Sequence, residues 1–162
     1  MVIKTGLGQD SHKFDVRKEK PFVLGGIEIN FDRSLSGNSD ADVVLHALTN
    51  AVSSITGKNI IGAYSDKLCR EQSITDSAVY LEHSLSELGN YQIIHIAISI
   101  ECKEPLISPH IERMKKRISE LTGVPISDVG ITATSGEGLT EFGKGNGIQA
   151  FVIITVKQNS GK

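Results

Sequence analysis

Two short stretches hold the side chains able to do chemistry. In GLGQDSH, residues 6–12, Asp10 and His12 stand two apart behind a pair of glycines. On a strand, residues i and i+2 leave the same face, so each can offer one ligand atom to a single ion. Alone, the two read equally well as a satisfied surface pair. His46 adds a third donor. It lies two residues from both Val44 and Leu48, so at about 100° per residue it points away from the apolar stripe they define. Asp42, His46 and Asn50 then form a polar stripe, either a solvated helix face or part of a site. One Asp and two His make a tetrahedral zinc shell with one open position, which can take a phosphate oxygen. His83, His95 and His110 fall on an amphipathic helix, in mid-strand and near a helix start, and read as ordinary surface or core histidines.

The second stretch is ATSGEGLTEFGKGNG, residues 133–147. Its glycines let backbone N–H groups approach an anion closely. Thr134 and Ser135 can donate to phosphate oxygens, Lys144 supplies positive charge, and Glu137 can carry a magnesium-type ion bridged by phosphates. The plainer alternative is a Gly-rich hairpin loop. Neither the phosphate-binding G-x-x-x-x-G-K-[ST] nor a dinucleotide-binding G-x-G-x-x-G opening a βαβ unit is present.

Periodicity supplies the elements that must position these residues. Strands are expected at 2–12, 22–30 (with a bend at LGG, 24–26), 92–101, 128–135 and 147–156. In 92–101, Ile94, Ile96, Ile98 and Ile100 share one face. The last strand, IQAFVIITV, is almost wholly apolar and is expected at the sheet centre. Helices are expected at 41–56, capped by Asp40 and stopped at Gly57, at 75–88 and at 108–122, with 58–73 irregular. In the helix at 108–122, Arg113, Lys115, Lys116 and Arg117 read as a solvated face. This order predicts an α+β fold, a mixed sheet with helices on one face. The other sheet face is left to be covered by oligomerisation.

Composition bounds the rest. The chain has 162 residues, 39% apolar and 22% charged, with a net charge of −2. That suits one domain, expected over residues 1–157 with 158–162 as a tail, and argues against nucleic-acid or anionic-membrane partners. No apolar run is long enough to span a bilayer, and MVIKTGLGQDSH lacks a signal-peptide pattern, so a cytoplasmic protein is expected. Cys69 and Cys102 make no disulfide framework.

The stretches GQDSH, VLGGIEI, NSDADVVLHALTNA, EPLISPHI and ATSGEGLTEFGKGNGI occur in order across about residues 3–156. Together they resemble the 2-C-methyl-D-erythritol 2,4-cyclodiphosphate synthase family of non-mevalonate isoprenoid biosynthesis. The resemblance implies a homotrimer with its sheets around a threefold axis, helices outside, and active sites between neighbouring subunits. It implies a phosphorus–oxygen lyase acting on 4-diphosphocytidyl-2-C-methyl-D-erythritol 2-phosphate, releasing CMP and the cyclic diphosphate. Asp10, His12 and His46 would hold one zinc per subunit, and Glu137 would help hold magnesium or manganese on the diphosphate. Thr134 and Ser135 would contact the phosphates, Ser11, Ser39, Gly136 and Lys144 would also bind substrate, and Asn38 and Ser135 would take the catalytic positions. Residues Cys102, Lys103, Glu104, Pro105, Leu106, Ile107 and Ser108, with Ala133 and Thr134, would form the cytidine pocket. Ile60, Ile61, Gly62 and Asp66 would face the methylerythritol. An isoprenoid diphosphate in a central channel, and a cytoplasmic or plastid-like compartment, are further implications.

The chain departs from the commoner pattern at several positions. Asn38 stands where a histidine is usual, Ile60 where an aspartate is, Leu106 where a lysine is, and Lys144 where an arginine is. Two other readings stand beside the family one: a zinc phosphohydrolase with altered substrate, and a non-catalytic trimer that binds isoprenoid diphosphates.

Overall fold

The computed structural model describes residues 1–17 and 19–159. Its centre is the apolar C-terminal strand. That strand, β7 (Gly147–Gln158), pairs antiparallel with β1 (Ile3–Asp15) on one side and with β5 (Tyr91–Glu101) on the other. β6 (Val129–Thr134) runs parallel to β5, and the short β4 (Ser34–Leu35) closes the β1 edge. The sheet order is therefore β4-β1-β7-β5-β6. Ile148, Ala150, Val152, Ile154 and Val156 of β7 are buried beneath the helices. Phe151 and Ile153 point the other way and remain 42% and 44% exposed. With Leu7 they leave an apolar strip on the open sheet face. β2 (Phe22–Leu24) and β3 (Ile27–Ile29) form a separate hairpin. Its two-residue turn has positive φ at Gly25 and Gly26, which glycine adopts without a Cβ penalty.

The helices form one layer, giving the expected α+β mixed sheet. α1 (Val43–Thr56) lies on β1 and β7, and α4 (Ile111–Thr122) lies on β6 through the buried Met114 and Ile118. α3 (Ser77–Ser86) packs beside both. Among the described residues, no helix is long and apolar enough to cross a membrane.

Several expectations are corrected. Asp42, not Asp40, caps α1: its carboxylate accepts from the N–H groups of Val44 and Leu45. It also accepts from Gly25 and Gly26, tying the β2–β3 turn to the helix start. Asp40 instead serves α3, accepting from the Ser77 N–H at 3.0 Å. Residues expected to be irregular hold α2 (Ala63–Gln72), which buries only Ser65 and Leu68. One buried apolar side chain makes no stripe, so periodicity is silent there. In β5 an irregularity between Ile93 and His95 shifts the register, so Ile93 rather than Ile94 shares the buried face with Ile96, Ile98 and Ile100. The Gly-rich stretch 133–147 is no hairpin, because β5 separates β6 from β7. Within the expected tail, Gln158 still belongs to β7, its N–H donating to Val2 O. Residues 160–162 lie outside the described residues.

Candidate metal centre

The centre forms where α1 meets the end of β1. Gly6, Gly8, Asp10 and His12 share one face of the strand, the face toward the helix layer. The absence of side chains at Gly6 and Gly8 lets α1 sit against the strand backbone. A Cβ on Gly8 would stand 2.0 Å from Ala47 O, and one on Gly6 would stand 2.4 Å from Ala51 O. The helix runs opposite to the strand, so its first turns reach Asp10 and His12. His46 does point away from the Val44–Leu48 stripe, as its spacing implies, yet it is only 6% exposed. The polar stripe meets other chain segments: Asp42 accepts from the β2–β3 turn, and the half-buried Asn50 donates its side-chain amide to Gln9 O of β1 at 3.0 Å.

Three ligand atoms converge there. Asp10 Oδ2 lies 3.0 Å from His12 Nε2 and 3.0 Å from His46 Nδ1, and the two ring nitrogens are 3.4 Å apart. Ligands about 2.0–2.1 Å from a tetrahedral zinc stand roughly 3.3 Å from one another, so the donor set and its spacing fit a divalent metal. Among the described residues, it is the one group of three or more His, Cys, Asp or Glu so placed. Burial raises the Asp10 carboxyl, but the neighbouring His12 and His46 imidazoles more than offset it and hold the group down to about 2. It is therefore an anion at neutral pH, ready to ligate.

A second layer, not legible in the sequence, surrounds His46. Its Nε2 lies 2.8 Å from Ser77 Oγ and 3.4 Å from Ser39 Oγ. Ser77 Oγ in turn donates to Asp40 Oδ1. Ser77 is thirty-one residues from His46 and belongs to another helix, so no local pattern could have found it.

The other expected site residues fall into two sets. Asn38 and Ser39 lie on the β4–α1 loop beside the centre. The Asn38 carbonyl accepts from Cys69 Sγ, and Lys20 Nζ donates to the carbonyls of Gly37 and Ser39. Ser11 alternates with Asp10 and His12 and is exposed. Gly62 and Asp66 start α2 beside Ile61, whereas Ile60 is buried against Leu68 and Tyr80. The second set lies at the same end of the sheet, two and three strands from β1, at about 4.8 Å per strand. There the 102–108 segment meets the Gly-rich stretch: Cys102 N donates to Thr134 O and Lys103 N to Phe142 O, each at 3.1 Å. Cys102 and Ile107 are buried, while Lys103, Glu104, Leu106 and Ser108 are exposed and Pro105 is half-buried. Ala133, Thr134, Ser135 and Glu137 are exposed and Gly136 half-buried; Glu137 has φ 49° and stands outside the three-ligand cluster. Lys144 is exposed and pairs with Glu141 at 2.8 Å. Arg33 ties the two segments of this second set together, donating to Glu104 Oε2 at 3.0 Å and to Gly145 O at 3.1 Å. Between the two sets, a cavity of about 420 Å³ is bounded by Ser11, His12, Lys13, Glu141, Phe142 and Asn146.

The chain is similar to known proteins. The chain is 44% identical over 159 residues to the 2-C-methyl-D-erythritol 2,4-cyclodiphosphate synthase of Chlamydia trachomatis serovar A, covering 97% of this chain and 89% of that one. The synthase of Chlamydia muridarum is 45% identical over the same shares. Among solved structures, a CDP-bound form of 2C-methyl-D-erythritol-2,4-cyclodiphosphate synthase superimposes with a TM-score of 0.83 at 25% identity. It covers 95% of this chain and 100% of its own. The bifunctional IspDF of Campylobacter jejuni shares the fold, with a TM-score of 0.88 at 24% identity over 98% of this chain and 43% of that one. The family model described as YgbB matches residues 3–157, the span that carries the strand pair, the capped helix and all three ligands, and the chain belongs to the YgbB family.

Proposed function

We propose that this chain is a cyclising phosphorus–oxygen lyase of non-mevalonate isoprenoid biosynthesis. It converts 4-diphosphocytidyl-2-C-methyl-D-erythritol 2-phosphate to 2-C-methyl-D-erythritol 2,4-cyclodiphosphate and CMP. The convergence of Asp10, His12 and His46 carries this reading, supported by relatives of that name over nearly the whole chain. An oxygen of the 2-phosphate forms a bond to the β-phosphorus, and the bond from that phosphorus to the bridging oxygen breaks, so CMP leaves with the electron pair. The nucleophile belongs to the substrate, so the protein's task is to align the two phosphates and offset their charge. Zinc at the three ligands would polarise a phosphate oxygen, and magnesium or manganese held with help from Glu137 would neutralise the diphosphate. Ser135 and Thr134 hydroxyls donate to phosphate oxygens, with Lys144 adding charge. Asn38 gives the phosphate a neutral hydrogen bond where a histidine is usual. The 102–108 segment, with Ala133, reads the cytosine through its backbone, the CDP-bound relative supporting such a subsite.

The exposed strip of Leu7, Phe151 and Ile153 supports a homotrimer closed around these sheet faces, with an apolar channel able to take an isoprenoid diphosphate. Such closure brings the cytidine set of one subunit toward the metal centre of the next. The deciding experiment is turnover of the cytidylyl substrate with zinc and magnesium, read by phosphorus NMR. Cyclic diphosphate with stoichiometric CMP is expected. A linear product, or no turnover by protein holding one zinc per subunit, would overturn the assignment.

A further inference from the structure

The Ser77 hydroxyl has one proton, and its two polar neighbours differ in what they can do with it. Asp40 is a carboxylate whose Oδ1 receives the Ser77 hydroxyl and whose Oδ2 receives the Ser77 N–H at 3.0 Å. A carboxylate has no proton to give back. Ser77 Oγ must therefore spend its proton on Asp40 and is left as an acceptor toward His46 Nε2, 2.8 Å away. The imidazole then carries its proton on Nε2. Its Nδ1 keeps a lone pair, and that atom faces Asp10 Oδ2 at 3.0 Å. Two lone pairs at that distance repel unless a cation lies between them. The site is buried on the far side too: Ser77 is fully buried and His46 nearly so, so water cannot readily replace the hydroxyl.

We infer that Ser77, anchored by Asp40, is the positioning residue that sets the tautomer and ring orientation of His46, so that Nδ1 is the metal-binding atom. This rests on the metal reading above. The Asp40–Ser77 unit also opens α3, since the Asp40 carboxylate caps its first N–H. The start of α3 is thereby part of the metal centre's support. Outer partners of this kind change metal affinity by about 10–100-fold when removed. Ser77→Ala keeps the backbone N–H that Asp40 caps, so the helix start survives while the hydroxyl's links to His46 and to Asp40 Oδ1 are cut.

The test has two readous, neither of which is turnover. In metal-free protein, long-range nitrogen-15 correlation of the His46 ring reports the tautomer directly. The parent is expected to hold a proton on Nε2, bonded to Ser77, and Ser77→Ala to show Nε2 exchanging between protonated and bare forms. Competition with a zinc chelator should then show affinity falling about 10–100-fold in Ser77→Ala, with Ser77→Thr, which restores a hydroxyl, regaining most of it. An unchanged Nε2–H signature together with affinity within twofold of the parent would overturn the inference. If the parent bound no zinc, the metal reading would fail, and the ring-nitrogen spectrum would still decide the role of Ser77.

Discussion

Gly8→Ala tests how the strand–helix contact builds the metal centre. Ala47 O and Ala51 N would lie 2.0 and 2.3 Å from the new Cβ, and both are backbone atoms that no rotamer change can move. An ordinary carbon–oxygen contact needs about 3.4 Å, so α1 must retreat from β1 by about 1.4 Å. Overpacking a core by one methyl costs about 1–3 kcal/mol, and with backbone on the far side the cost belongs at the upper end, about 3 kcal/mol. For a chain of this length that lowers Tm by about 6–12 °C. The effect on the site is larger in proportion. His46 comes from α1, while Asp10 and His12 come from β1. A metal tolerates ligand displacements of only about 0.2 Å, so zinc affinity should fall at least tenfold. Calorimetry at fixed protein concentration reads the first quantity, and chelator competition the second. An alanine variant with parental Tm and parental affinity would refute the claim that bare backbone at Gly8 sets the helix position.

Further outcomes follow from the same geometry. His46→Ala should lose bound zinc and turnover while circular dichroism and assembly size stay parental; full turnover would refute its role as a ligand. Asp42→Ala should destabilise the fold by about 3–5 kcal/mol, because it removes a helix cap and strands the buried Gly25 and Gly26 N–H groups. A denaturation midpoint shifted by less than 1 kcal/mol equivalent would contradict that four-bond role. Burial, with the charge of Glu101 adding to it, pushes the Cys102 thiol from 9.0 up to about 12. At pH 8 iodoacetamide should therefore leave Cys102 unlabelled in native protein and label it in urea, read by mass spectrometry. The native state keeps that proton while the unfolded thiol loses it, so Cys102 makes stability decline as pH rises between about 9 and 12.

What the sequence determined by itself is local. The i, i+2 spacing of Asp10 and His12, the stripe Val44–Leu48–Ala51–Val52, the stop at Gly57 and the apolar run 148–156 each depend on neighbours within a few residues. Hydrophobic periodicity reads such patterns directly, and so the strand pair, three of the four helices and the central place of β7 were legible. The grouping of Asp10, His12 and His46 was legible too, from residue type and order. Tertiary structure decided what those neighbours could not. It brought the polar side of α1 against Asp10 of β1 and so buried His46 rather than leaving it a solvated side chain. It moved Asp40 from the helix that follows it to a helix thirty-seven residues away, where it meets Ser77. It made a helix of 63–72 on the strength of one buried leucine, and broke the β5 alternation at Ile93. Each of these depends on which backbone groups a side chain meets across the chain, and burial leaves a polar group no choice but to find such a partner.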